Sequence, residues 1–270
     1  MRRSETDSGR QSEAMRRWER AEIERSSVEA KLTPDEELLV TEETFARYAH
    51  PAPDTAYPLE YAYSLLGDIA GKRVVDLGAG SGANTALLSG RGADVCGIDI
   101  SEDLLRLAQR RLAASGHPGD ALFVACSGHD MPFADNSIDV VFGIAVLHHL
   151  DLDLVSHEVV RILKPGGRAI FQEPVRNSGM IRFVRSLIPH GRPDISPYER
   201  PLTNADLEQF AANFSTCSVR AFGLPHVQVG QVMPVLRHYW KALYASDCRL
   251  LRRAPWLARY AAIRVISLTK

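Results

Sequence analysis

The sequence predicts an α/β fold in which a parallel sheet carries helices on both faces. Segments typical of strands alternate with segments typical of helices from about residue 70 to residue 175, and this alternation is the pattern of a parallel sheet covered on both sides. Residues 138–146 are apolar except for Asp139, so we expect that strand near the centre of the sheet. The first strand, 73–77, runs into a glycine-rich loop and then a helix, which indicates a ligand site at its carboxyl end.

The region before the sheet is predicted to be mainly helical. Residues 1–12 are polar and are expected to be disordered, and residues 13–64 are expected to form a helical cap or lid. Aromatic side chains are concentrated between residues 44 and 64. Two interpretations stay open for them: they pack on the core, or they close one side of a ligand pocket.

The remaining elements are bounded by glycine, proline and helix-capping residues. The other predicted strands are 94–100, 121–126, 138–146, 168–172, 218–222 and 262–268. The predicted helices are 83–90, 101–116, 151–163, 203–214 and 231–260. The main domain is therefore expected to cover residues 65–270, with substrate-side insertions at about 175–202 and 225–260, the second of them helical.

The composition is that of an ordinary globular protein. Of the 270 residues, 45% are hydrophobic and 24% are charged, and the net charge is −1, so no overall field attracts nucleic acid. The N-terminus lacks the apolar segment of a signal peptide, and no apolar run is long enough to span a bilayer, which predicts a cytoplasmic protein. The four cysteines are far apart, and this argues against a metal centre.

The last forty residues are strongly basic. Residues 231–270 contain eight Arg or Lys side chains and one acidic residue, Asp247. The simpler interpretation is a basic face in contact with solvent. The alternative is a surface for an acidic partner or for peripheral contact with anionic lipid headgroups.

The glycine-rich loop is the clearest chemical signal. Gly78, Gly80 and Gly82 stand at alternate positions, and residues without Cβ let the backbone turn sharply and approach a ligand closely. Asp99 ends the next predicted strand, about 20 residues beyond the loop, where a carboxylate would bind two ribose hydroxyls. These residues alone fit either a dinucleotide or S-adenosylmethionine.

Five sequence blocks identify a known family. The chain resembles the class I S-adenosylmethionine-dependent methyltransferases, of the small-molecule type that includes the methyltransferases of ubiquinone and menaquinone biosynthesis. The blocks have the family's order and spacing, and they are residues 75–82, 93–101, 130–141, 146–150 and 163–167. The resemblance covers roughly residues 70–175. It implies a Rossmann-like, seven-stranded, mostly parallel sheet whose last strand is antiparallel.

The resemblance also implies S-adenosylmethionine as the cofactor and a set of residues that bind it. The methionine end would contact the glycine loop and its neighbours, Asp76, Gly78, Ala79, Gly80, Gly82 and Asn84. Asp99 would bind the ribose, and the adenine would lie against Ile100, Ser127, Gly128 and His129, with Ile144 also near the site. The family often has an acid where Ser127 stands. Its neutral hydroxyl shifts the expected adenine binding towards the backbone of residues 128–129 and packing by Ile100.

Three side chains are candidate catalytic bases. His148 and His149 follow the fourth predicted strand, and Glu173 ends the fifth. Parallel sheets of this kind bind ligands at these strand ends, and an imidazole or a buried carboxylate can take a proton near neutral pH. The alternative is structural: a histidine that packs or caps the corner, and a glutamate in a salt bridge or cap.

The predicted function is methyl transfer from S-adenosylmethionine to a small molecule. The family's enzymes for nucleobase amines resemble one another in an Asn/Asp-Pro-Pro-aromatic stretch after the fourth strand, and residues 143–149 do not have it. The apolar insertions suggest an apolar acceptor, lipid-like or polyketide-like. The alternatives are a protein that binds the cofactor without transferring methyl, and a nicotinamide-dependent oxidoreductase.

Overall fold

The computed structural model describes residues 4–115, 121–176, 202–224 and 239–270. Seven strands form one sheet in the order β3-β2-β1-β4-β5-β7-β6. The strands are β1 (Arg73–Leu77), β2 (Asp94–Asp99), β3 (Ala121–Ala125), β4 (Ile138–Ile144), β5 (Leu163–Pro174), β6 (Thr216–Phe222) and β7 (Ile263–Thr269). Strands β1 to β5 pair in parallel, and β7 is antiparallel to both β5 and β6. The predicted fold class, with its antiparallel last strand, is confirmed.

Eight α-helices surround this sheet in the described ranges. They are α1 (Ser4–Leu32), α2 (Glu42–Ala49), α3 (Pro58–Leu66), α4 (Ala83–Gly90), α5 (Glu102–Ser115), α6 (Leu152–Ile162), α7 (Asn204–Ala211) and α8 (Trp240–Arg253). Short 3-10 turns lie at Asp35–Glu37, Leu147–His149 and Pro255–Tyr260. None of the helices in these ranges is long and apolar enough to span a bilayer.

The core consists of two apolar layers, one on each face of the sheet. On one face, Val155 and Val159 of α6 pack with Val141 and Phe171. On the other, Tyr63 of α3 packs with the apolar side of α4 and with Phe142. Strand β4 is buried along almost its whole length, because helices cover both of its faces. This is why its sequence is apolar without alternation.

The aromatic residues between 44 and 64 belong to the second apolar layer. Tyr63 is fully buried, and Phe45, Tyr48 and Tyr61 pack against the same cluster. Tyr63 and Tyr48 have ring centroids 5.0 Å apart, within the range of favourable aromatic pairs. These side chains therefore pack on the core, which was the first of the two open interpretations.

Some element boundaries differ from the predicted ones. Helix α1 begins at Ser4, so most of the 1–12 tail lies within this helix. Strand β5 begins at Leu163 rather than Arg168, because Leu163 already pairs with Ile138 across a register shift. The Lys164 ammonium also lies 2.7 Å from the Asp139 carboxylate and fixes the start of the strand. The proline and glycines after Lys164 end the preceding helix, as predicted, but do not delay the strand.

Two predicted regions fall wholly or partly outside the described residues. Of the insertion at about 175–202, residues 177–201 lie outside them, and of the insertion at about 225–260, residues 225–238 do. Within the described part of the second insertion, the predicted helix 231–260 is represented by α8 and by the turn Pro255–Tyr260. Helix α7 begins with the predicted capping box, in which Thr203 and Asp206 exchange hydrogen bonds.

Candidate cofactor-binding and active site

A cavity of about 230 Å³ lies at the carboxyl ends of β1, β2, β3 and β4. This position is the topological switch point of the sheet, because β2 lies on one side of β1 and β4 on the other. The strand ends and the loops after them contribute Leu77, Gly78, Gly80, Ile98, Asp99, Ile100, Cys126, Ser127, Gly128, His129, Ala145, Val146, His149 and Leu150.

The opposite wall of the cavity is helix α1. Trp18, Glu19, Glu22, Arg25 and Ser26 line it, and these positions recur at the spacing of one helix face. The helix is fixed to the core domain through α5, because the Ser27 hydroxyl donates to an Asp103 carboxylate oxygen at 2.6 Å. The N-terminal region therefore covers the site with a mostly polar face that includes Trp18, whereas the aromatic residues between 44 and 64 pack on the core.

The glycine loop brings backbone N–H groups to the cavity. Gly80 has φ +52°, and a Cβ added there would meet no heavy atom closer than the Gly78 carbonyl oxygen at 4.0 Å. The space beside it is therefore open for a ligand. The Gly80 N–H donates to Asp99 Oδ2 at 2.9 Å, which joins the loop to the end of β2. This arrangement gives a ligand close access to the main chain.

Asp76 lies beneath the loop and is 1% exposed. Its Oδ2 accepts a hydrogen bond of 2.5 Å from the Thr85 hydroxyl, whereas its Oδ1 has no partner among the described residues. Burial raises the pKa of Asp76 to about 7, against the lowering effect of the Thr85 hydrogen bond, and the charge of Asp99 raises it further. A cation near the loop would offset this cost of ionisation.

Asp99 has its carboxylate at the cavity wall and held by the main chain. Its Oδ1 accepts from the Ser101 N–H at 2.9 Å, and its Oδ2 accepts from Gly80. Burial raises the pKa of Asp99, and these backbone hydrogen bonds act in the opposite direction. The remaining lone pairs of the two oxygens are available to ribose hydroxyls.

At the far end of the cavity, Ser127 and His129 form a small hydrogen-bonded group. The Ser127 Oγ lies 3.1 Å from His129 Nδ1 and 2.8 Å from Glu19 Oε1. The Asp151 N–H donates to His129 Nε2 at 2.9 Å, and Asp151 also caps α6. Burial lowers the pKa of His129, while the charges of Glu19 and Asp151 act against it. The group is therefore ordered by contacts from α1 and α6.

The three candidate bases occupy different environments. His149 lines the cavity, and its Nδ1 lies 3.5 Å from Glu22 Oε2. Glu173 is fully buried and accepts from the N–H groups of Val146 and Leu147 at 2.7 and 2.8 Å. Its other oxygen lies 2.8 Å from His148 Nδ1. Glu173 and His148 thus hold the loop after β4, and neither lines the cavity.

Several of the predicted cofactor residues do not themselves line the cavity. The residues in this group are Asp76, Ala79, Gly82, Asn84 and Ile144. The Asn84 Oδ1 accepts from the Tyr63 hydroxyl at 3.0 Å. Gly82 has φ +80°, and a Cβ there would lie 2.8 Å from Ala108 Cα. A glycine is therefore required at this position by the packing of α4 on α5, whether or not a ligand is bound.

Sequence reasoning missed the α1 wall of the site. Glu19, Glu22 and Arg25 are three among many charged residues in a polar helix, and nothing in their spacing separates a buried polar face from an exposed one. A usable signal would have been the absence of an apolar stripe, since a helix covering a polar site does not need one.

The charges of the cavity wall fit a cationic cofactor. Glu19, Glu22 and Asp99 contribute three carboxylates against the single guanidinium of Arg25. Open space beside Gly80 and the Asp99 carboxylate suit a ribose, and the buried Asp76 carboxylate beneath the loop places a further negative charge near the position of an amino-acid cation. The residues present therefore fit S-adenosylmethionine, whereas three carboxylates would repel the pyrophosphate of a dinucleotide.

Comparison with known proteins agrees with this geometry. Residues 75–171 match a family described as a methyltransferase domain. The chain is 36% identical over 132 residues to a demethylmenaquinone methyltransferase of Clavibacter sepedonicus, over 45% of this chain and 51% of the relative. It is 28% identical over 199 residues to a fatty-acid O-methyltransferase of Mycolicibacterium smegmatis, over 71% and 66% of the two chains. The chain thus spans about half the length of the first of these relatives and two thirds of the second.

A solved structure agrees with the fold. An S-adenosylmethionine-dependent methyltransferase from Mesorhizobium loti superposes with a TM-score of 0.53 and 20% identity, over 80% of this chain and 98% of that one. The superposition covers more of the chain than residues 75–171 alone. The resemblance recognised from the sequence blocks is confirmed: residues 75–171 match the methyltransferase domain, and the chain has the fold of the class I S-adenosylmethionine-dependent methyltransferases.

Proposed function

We propose that this protein transfers the methyl group of S-adenosylmethionine to a small apolar molecule. The observation that carries the proposal is the cavity at the switch point, with a surplus of carboxylates on its wall and one imidazole, that of His149, beside the loop after β4. When bound, S-adenosylmethionine supplies an electrophilic methyl group on a sulfonium. The protein then has to position the acceptor, exclude water and, for some acceptors, remove a proton.

Each part of the wall has a role in this proposal. The Gly78–Gly80 backbone and Asp99 hold and orient the cofactor, and α1 excludes water from one side. His149 takes a proton from the acceptor. The carboxylate of Glu22, 3.5 Å from His149 Nδ1, stabilises the imidazolium that forms. Glu173 and His148 act only by positioning the loop that carries His149.

The apolar nature of the acceptor is supported by the cavity wall and by the relatives. Leu77, Val146 and Leu150 are apolar residues of the cavity wall, and Val146 belongs to the turn that carries His149. The relatives named above act, by their names, on demethylmenaquinone and on fatty acids, and both are apolar molecules. The segments 177–201 and 225–238, which would complete the acceptor side, lie outside the described residues.

Labelled-methyl transfer tests the proposal. Purified protein and methyl-labelled S-adenosylmethionine are incubated with a long-chain fatty acid, a demethylated naphthoquinol, a short polar amine and a mixed RNA. We expect label in the fatty acid or the naphthoquinol, recovered by organic extraction. Label in the amine or the RNA would overturn the apolar acceptor. Binding of S-adenosylhomocysteine with no transfer to any member of the panel would support a binding protein, and binding of NAD instead would support an oxidoreductase.

The role of His149 has its own test. With a working acceptor, His149→Ala should lower kcat by about 100-fold or more, the usual contribution of a general base, with the affinity for S-adenosylhomocysteine nearly unchanged. His157→Ala is the matched control, because His157 on α6 has a side chain 66% exposed and lies 2.8 Å from the Asp153 carbonyl oxygen of its own helix turn. An unchanged kcat in His149→Ala would show that the acceptor needs no base from this side chain.

A further inference from the structure

Helix α1 places the Glu19 carboxylate at the end of the cavity that holds Ser127. The family often has an acid at the position of Ser127, and this chain does not. Glu19 Oε1 lies 2.8 Å from the Ser127 hydroxyl oxygen, and both residues line the cavity. The Glu19 side chain is 27% exposed and lies 3.9 Å from His129 Nδ1. Glu19 and Ser127 are 108 residues apart in sequence, so only the fold brings them together.

The hydrogen bonds around Ser127 leave its hydroxyl no capacity to accept from a ligand. The Asp151 N–H donates to His129 Nε2, so the proton of the neutral ring is on Nδ1. That Nδ1–H faces the Ser127 Oγ at 3.1 Å, and the His129 backbone N–H also donates to it, at 3.3 Å. These two donors use the two lone pairs of the hydroxyl, and its own proton goes to Glu19.

The other side chains near this end are weak acceptors. Burial raises the pKa of Cys126 to about 11, so its thiol stays protonated. Ile100 is apolar. The Glu19 carboxylate uses one oxygen for Ser127 and has the remaining capacity of an ionised carboxylate, which accepts about four hydrogen bonds in all. It is thus the strongest acceptor that the described residues present here.

We infer that Glu19 accepts a hydrogen bond from the exocyclic amine of the cofactor's adenine and makes the site selective for an amino purine. The inference rests on the proposed function, since it takes the cofactor to be S-adenosylmethionine. Ser127 then acts as a positioning residue, which orients the carboxylate and does not touch the base. A charge-assisted bond from an amine is favourable, whereas a purine with a carbonyl in place of the amine would face the carboxylate with a second acceptor.

Isothermal calorimetry with two ligands tests this. S-adenosylhomocysteine carries the amine, and S-inosylhomocysteine carries a carbonyl at the same position. For the wild type we expect the amine ligand to bind about 10- to 100-fold more tightly, the range of a hydrogen bond to a charged group. In Glu19→Gln this preference should fall to less than about threefold, because the side-chain amide can either donate or accept. Glu24→Gln, an exposed position on the same helix, should keep the wild-type preference.

The Ser127→Ala variant separates the two residues. It should keep most of the preference for the amine, since Glu19 remains. Loss of the preference in Ser127→Ala with its retention in Glu19→Gln would assign the contact to Ser127 and overturn the inference. Equal weakening of both ligands by Glu19→Gln would also overturn it, because that is the effect of a purely structural role. If the wild type binds neither ligand, the proposed function fails first.

Discussion

Asp76→Asn should stabilise the ligand-free protein at neutral and alkaline pH. Asp76 is buried and one of its oxygens has no partner among the described residues. Its pKa rises from 3.8 to about 7 on burial. Since one pKa unit corresponds to about 1.36 kcal/mol, the folded protein ionises this carboxyl at an extra cost of about 4 kcal/mol. An asparagine keeps an oxygen that can accept from Thr85 and removes the charge.

The sign of the pH dependence follows from the raised pKa. Between the unfolded and the folded pKa of Asp76, the folded protein binds more protons than the unfolded chain, so the contribution of this group to stability falls as pH rises through that window. At pH 5 only about 1.6 kcal/mol of the cost is present, and above pH 7 all of it is. The advantage of Asp76→Asn over the wild type should therefore grow by roughly 2–3 kcal/mol between pH 5 and pH 8.

Urea unfolding of both proteins at the two pH values measures this difference, and the subtraction removes every group that the proteins share. Asp139→Asn is a control of opposite sign. Burial acts to raise the pKa of Asp139, but hydrogen bonds from Lys164 and from the Arg73 N–H outweigh it and hold the pKa below its ordinary value, so this change should destabilise the protein by nearly the same amount at pH 5 and pH 8, both of which lie above that ordinary value. If Asp76→Asn is no more stable than the wild type at pH 8, or if its advantage is the same at both pH values, the reasoning is refuted.

Two further predictions concern the frame of the site. Glu173→Ala should lower the free energy of unfolding by at least about 3 kcal/mol, because it leaves buried donors of the loop after β4 unpaired. Urea unfolding measures this loss. Glu173→Gln keeps an acceptor and should recover most of the lost stability. Thr203→Ala should cost about 1 kcal/mol through loss of the α7 capping box, with Thr203→Ser near the wild type. A Glu173→Ala protein as stable as the wild type, or a Thr203→Ser protein as weak as Thr203→Ala, would contradict them.

The parts of the fold that local chemistry determines were predictable from the sequence. The apolar run of β4 reflects burial on both faces, and the capping box of α7 depends on two residues three positions apart. The strand β1, the glycine loop and the helix α4 were likewise predictable, because they depend on residues that follow one another in the sequence. The antiparallel direction of the last strand came from the family resemblance, because pairing between β7 and its neighbours leaves no local signal.

The parts that depend on contacts distant in sequence were not predictable. Strand β5 begins early because Leu163 pairs with Ile138 and Lys164 meets Asp139, and neither contact can be inferred from the Pro-Gly-Gly that follows. In the sequence, the aromatic residues near Tyr63 fit either the core or a ligand pocket, and nothing marks the charged residues near Glu19 as part of a site. Only the packing assigns the first to the core and the second to the cavity.

The charges in the cavity indicate that the strand ends and helix α1 contribute to ligand binding in different ways. Burial raises the pKa values of both Asp76 and Asp99, so the strand ends hold carboxylates that are costly to ionise without a cation. The α1 carboxylates already have hydrogen-bond donors: Glu22 accepts from Arg25 of the same helix at 3.1 Å, and Glu19 accepts from Ser127 at 2.8 Å. A cationic ligand therefore relieves an electrostatic cost in the sheet, while α1 supplies contacts already oriented before binding. Under the proposed function, the carboxylates at the strand ends favour a cationic cofactor, and Glu19 of α1 favours the adenine of that cofactor.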